Sequence, residues 1–96
     1  MNEKIKSENV DFLFKCILSL KTEEECYDFF EDLCTFSELK SISQRAVVAK
    51  MLTDHVVYSD IVEKTGASTA TISRVNRSLR VGNGGYDKVF GKLKNE

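Results

Sequence analysis

The residues with the most chemical content stand together in GASTATISRVNRSLR, Gly66 to Arg80. Ser68, Thr69, Ala70 and Ser73 are small. Hydroxyls can donate to or accept from base edges in a DNA groove, and the methyls of Thr and Ala can touch thymine methyls. Arg74, Arg77 and Arg80 follow at three-residue spacing and suit phosphate contacts that fix a docking register. From Thr65 to Asn83 there is no carboxylate, although the 96 residues include 15 Asp and Glu. A solvated polar helix face explains the serines but not that gap. Repulsion between carboxylates and phosphate explains it.

Other chemistry is poorly supplied. His55 is the single histidine, with no second nitrogen ligand or nucleophile beside it, and is expected in a loop. Cys16, Cys26 and Cys34 form no C-x-x-C pair and are expected to pack as small apolar residues. No nucleophile, base and metal constellation exists, so an enzyme is not expected.

The elements that must position the Ser/Thr/Arg segment are helical. The stretch from Tyr58 to Leu79 divides at Gly66, with Ile61, Val62, Thr65, Ala67, Ile72 and Val75 pointing inward. Two short helices locked by such a set, joined at a glycine that accepts a left-handed turn, make a helix-turn-helix over residues 58–80. Ser68 is placed to cap the second helix. Upstream, Val10, Leu13, Phe14, Ile17 and Leu18 form one stripe, widened by Phe12, Cys16 and Leu20, so this helix must be covered on two sides. Thr22 to Glu25 and Thr35 to Glu38 are capping boxes that open a second helix, with Cys26, Phe29, Phe30 and Leu33 inward, and a long third. The third carries Leu39, Ile42, Ala46, Ala49 and Leu52, with Val48 alongside, and Val56 to Tyr58 is a connector.

Ninety-six residues make one small all-α domain with a modest core of its own. The apolar run from Val10 to Leu20 is interrupted by Asp11 and Lys15 and is too short to span a bilayer. The N-terminus lacks the apolar core of a secretory signal. A cytoplasmic location without membrane contact is expected. The net charge of −1 hides an asymmetry: residues 1–57 hold 7 Lys/Arg against 11 Asp/Glu, and residues 58–96 hold 7 against 4, giving −4 and +3. The acidic and basic halves therefore point to different tasks.

Residues 35–80 resemble the tryptophan (Trp) repressor family, and within it the Trp-repressor-like YerC/YecD branch. The resemblance rests on the opening T-x-x-E of the third helix, on Arg45 ten residues after Thr35, and on GASTATISRVNRSL. The last matches the repressor pattern G-A-x-x-A-T-I-[ST]-R-x-x-x-S-L. VGNGGYDKVFGKL is similar to the branch's Gly-rich joint and final helix.

The resemblance implies a six-helix protomer that exists as an intertwined homodimer. Residues 1–57 would dimerise, 58–80 would be the helix-turn-helix, and 81–96 the joint and C-terminal helix. It implies a transcriptional regulator, a repressor, that binds a palindromic operator in double-stranded DNA with one recognition helix per protomer in the major groove. Tyr58 and Ser59 would lie near the DNA backbone, and Ser68, Thr69, Ala70 and Ser73 would face bases. Where the repressor holds its amino acid, this chain offers Thr35, Arg45, Thr71, Arg74 and Ser78, so Thr71 and Arg74 belong to both the DNA-facing and the ligand set. The residue after the second arginine is glycine in the repressor and Val75 here, a side chain that intrudes where the indole would sit. L-tryptophan is therefore not expected as corepressor. The competing reading is a helical protein-interaction adaptor whose helix-turn-helix is structural; the carboxylate-free face argues against it.

Overall fold

A computed structural model describes residues 3–94. Met1, Asn2, Asn95 and Glu96, which fall within the domain bounds given above, lie outside the described residues. Among the described residues there are six α-helices and no strand: α1 (Glu8–Ser19), α2 (Glu23–Leu33), α3 (Phe36–Thr53), α4 (Tyr58–Thr65), α5 (Thr69–Val81) and α6 (Gly85–Leu93). The chain divides into two units, Met1–Leu39 and Lys40–Glu96.

The first unit is built from well-capped helices. The Ser7 hydroxyl accepts from Val10 N at 3.1 Å and starts α1, a cap its sequence stripe alone does not reveal. Thr22 Oγ1 accepts from Glu25 N at 3.1 Å, while Glu25 Oε1 reaches one residue further back than a simple capping box, to Lys21 N at 2.8 Å. Thr35 and Glu38 close the full reciprocal box, at 3.1 and 2.9 Å. The backbone N–H of Thr35, then its hydroxyl, hold the Glu38 carboxyl below the usual glutamate range. Neither α1 nor α2 contains a buried residue. Leu18 of the expected inner stripe is 83% exposed and Phe36 is 84% exposed, and Phe12 and Phe14 are also open. Cys16, Cys26 and Cys34 are free thiols, each half-buried.

The second unit contains the core. Val48 and Ala49 of α3, Ile61 of α4, Ala67 of the turn, Ile72 and Val75 of α5 and Phe90 of α6 are buried together, with Met51, Leu52, Val56, Leu79 and Tyr86 against them. Two expectations change here. Ile42 and Ala46 are exposed, so the buried face of α3 is Val48 and Ala49 rather than the whole stripe from Leu39. Val62 is 37% exposed, because the α4 face that meets the core is narrow and Ile61 fills it. Tyr86 and Phe90 stack at 5.9 Å, and the Lys50 ammonium lies 5.8 Å from the Phe90 centroid, which seats α6 against α3. His55 stands in the turn after α3, as expected, with the positive φ of 62° that few side chains adopt.

Candidate nucleic-acid interface

Local rules position α4 and α5. Tyr58 is the first residue of α4 rather than part of the connector, and its N-cap, Val57, has no side-chain oxygen to cap the first N–H groups. Among the described residues, four helices begin at a Ser or Thr whose hydroxyl accepts a backbone N–H. The start of α4 has no such side-chain cap: the Asp60 N–H donates to Val57 O at 3.1 Å instead, and Asp60 places a carboxylate in that first turn. Gly66 ends α4 in the left-handed conformation, φ 71°. No atom lies within 4 Å of where its Cβ would be, so glycine is required by backbone conformation and not by crowding. Three bonds set the turn: Thr65 Oγ1 donates to Ile61 O at 2.7 Å, Ala67 N donates to Thr65 Oγ1 at 3.1 Å, and Gln44 Nε2 donates to Thr65 O at 3.1 Å.

Ser68 caps α5, its hydroxyl accepting from Thr71 N at 3.1 Å and donating to Thr71 Oγ1 at 3.0 Å. Ser68 and half-buried Thr71 are thus paired at the helix start. Ile72 and Val75 anchor the inner side of α5. Thr69, Ala70, Ser73, Arg74, Arg77 and Arg80 are all exposed. At 100° per residue they share one broad face. Among the described residues none of the three arginines forms a salt bridge. Tyr58 and Ser59 are exposed at the start of α4. The second unit therefore presents a rigidly anchored helix whose open side is small, hydroxylated, cationic and free of carboxylates.

The residues assigned to a ligand by resemblance are mostly engaged locally. Arg45 Nη1 donates to Ser41 Oγ at 3.3 Å, Ser78 Oγ donates to Arg74 O at 3.3 Å, and Thr35 caps α3 within the first unit. Val75 is 2% exposed and part of the core. A cleft of about 270 Å³ in the second unit is lined by Lys40, Ser43, Gln44, Val47, Lys64 and Thr65, and by none of those residues. The spacing of Lys40, Ser43, Gln44 and Val47 marks one face of α3, but no sequence signal pairs that face with Lys64.

The family model for Trp repressor protein matches residues 8–94. The chain belongs to the Trp repressor family. It is 50% identical over 92 residues to the uncharacterized protein YerC of Bacillus subtilis, covering 96% of this chain and 88% of that one. It is 35% identical over 71 residues to a Trp operon repressor homolog of Chlamydia caviae, covering 73% and 69% of the two chains. The crystal structure of a TrpR-like protein from Eubacterium eligens superposes with a TM-score of 0.93 at 63% identity, covering 97% of this chain and 96% of that one. The Trp repressor fold is thus this chain's fold, and the family is a regulatory one rather than an enzymatic one.

Proposed function

We propose that the protein is a sequence-specific DNA-binding transcriptional regulator, a repressor, acting as a homodimer in the cytoplasm. The observation that carries this reading is the exposed face of α5. It has hydroxyls and methyls at its N-terminal end, three arginines beyond them in no salt bridge among the described residues, and no carboxylate from Thr65 to Asn83. In this reading Thr69, Ala70 and Ser73 meet base edges, with Ser68 and Thr71 at the helix start beside them. Arg74, Arg77 and Arg80 hold phosphates, and Tyr58 and Ser59 meet the DNA backbone at the start of α4. Residues 58–80 form the reading head, and residues 81–96 supply the joint and final helix.

Dimerisation is assigned to residues 1–57. The support is the lack of any buried residue in α1 and α2 beside open Phe12, Phe14 and Leu18. A surface of that kind asks for a partner, and a second copy brings a second reading head. Among the described residues no helix is long and apolar enough to cross a membrane. Selection of bound sites from a random duplex pool tests the reading. The expected product is a two-fold symmetric site with half-site centres about 10 bp apart; recovery of no enriched sequence would refute it.

L-tryptophan is not the corepressor in this proposal. Val75 occupies the core where the repressor's glycine leaves space, which leaves Arg74 for phosphate. Calorimetry should show no L-tryptophan binding to the wild type, and gain of binding in Val75→Gly would support the steric argument. Micromolar binding to the wild type would overturn it.

A further inference from the structure

The cleft between α3 and the end of α4 is a concavity with a consistent charge. Lys40, Ser43, Gln44 and Val47 project from one face of α3, and Lys64 and Thr65 close the other side. No carboxylate lines it, and neither lysine is ion-paired among the described residues. The polar side chains between the lysines are already engaged: Ser43 Oγ donates to Lys40 O at 2.9 Å, and Gln44 Nε2 donates to Thr65 O at 3.1 Å. What the cleft still offers is positive charge and an apolar wall, since Val47 is 50% exposed in mid-helix. Two lysines lining a hollow without a carboxylate favour an anion there. A volume of about 270 Å³ suits a fragment-sized ligand rather than a large cofactor.

We propose that this cleft binds a small organic anion, a carboxylate or phosphate carrying an apolar body, with Lys40 and Lys64 on the anionic group and Val47 against the body. The site has a direct route to the reading head. The Gln44 to Thr65 bond forms part of its wall, and Thr65 immediately precedes the left-handed Gly66 that sets the start of α5. Occupancy therefore bears on the turn. Anion binding in the cleft does not depend on DNA binding by α5, and its test needs no DNA to succeed.

The test is an NMR titration of backbone amides in the full-length chain, with phenyl phosphate as the main probe and inorganic phosphate as the second. Saturating shifts are expected at Ser43, Gln44, Val47, Lys64 and Thr65. The double variant Lys40→Gln, Lys64→Gln should weaken phenyl phosphate by at least about tenfold, the loss expected from removing charge-assisted contacts. Arg77→Ala should leave it unchanged. Val47→Ser should weaken phenyl phosphate more than inorganic phosphate. The variants' own spectra report whether they remain folded. Shifts that never saturate, that centre on Arg74, Arg77 and Arg80, or that persist in the double variant would overturn the proposal. Cleft amides that respond to duplex DNA but not to phenyl phosphate would assign the lysines to the nucleic-acid backbone, and would overturn it as well.

Discussion

The two units hold their helices in different ways. In Met1–Leu39 the helices are secured at their ends, by Ser7, Thr22 and the Thr35–Glu38 box, and bury nothing fully. In Lys40–Glu96 the buried core residues are gathered, and the exposed arginines stand on a helix anchored by Ile72 and Val75. Capping is worth about 1 kcal/mol per helix end, whereas each large buried aliphatic contributes roughly 1.5–3 kcal/mol. The second unit thus carries the buried residues to which its reading head is anchored. The first has the means of forming helices but not of burying them, and its apolar surface is material for a partner.

That contrast can be broken most severely by removing residues 1–20. If a second copy covers the first unit, the deletion should cost folding itself, a total of order 5–15 kcal/mol, and not only DNA affinity. Circular dichroism of the truncated chain reads this directly; a fully helical, cooperatively melting product would show that the second unit needs nothing from the first.

A paired substitution sharpens the same point. Ile72→Ala empties a fully buried site and should cost about 2–5 kcal/mol at any protein concentration. Leu18→Ser touches a side chain 83% exposed in the single chain, where a change within about 0.5 kcal/mol would be ordinary. Covered by a second copy, it should instead cost roughly 2 kcal/mol, with a melting temperature that falls further on dilution. A concentration-independent, near-neutral Leu18→Ser would remove the argument for a partner on α1.

Much of this was legible in the sequence, and for identifiable reasons. Helix starts at Thr22, Thr35 and Ser68 follow from short-range hydrogen bonding, which spacing encodes well. Gly66 marks the turn because its backbone needs φ of 71°. The buried set Ile61, Ala67, Ile72 and Val75 follows from periodicity. Val62, Ile42 and Ala46 do not, because periodicity says which side chains share a face but not how much of that face a neighbour covers. The cleft was invisible for a related reason: Gln44 and Thr65 are 21 residues apart, and only the packed helices bring them to 3.1 Å.

The smallest expected effect concerns the Thr35–Glu38 box. The folded Glu38 carboxyl is held below its ordinary range by the Thr35 backbone N–H and then the Thr35 hydroxyl. Its contribution is therefore fully present above the unfolded glutamate pKa and is lost as pH falls through the lowered folded value. The protection of the Thr35 and Glu38 amides, with exchange corrected for its intrinsic pH dependence, should fall over that acid window in the wild type. Glu38→Gln, which can still reach back, should flatten the dependence; an unchanged pH profile in the variant would place the titrating group elsewhere.

Fluorescence anisotropy of a random-sequence duplex, titrated with the protein at two salt concentrations, decides whether the α5 face binds DNA. Non-specific binding through arginines must release counterions, so affinity should fall steeply as salt rises, with a log–log slope near −0.9 per phosphate neutralised. Arg77→Ala should flatten that slope by about one unit for each phosphate no longer neutralised, or about two in a dimer, without changing which sequences are preferred. No binding at low salt, or a slope indifferent to Arg77, would contradict the assignment of the α5 face to DNA.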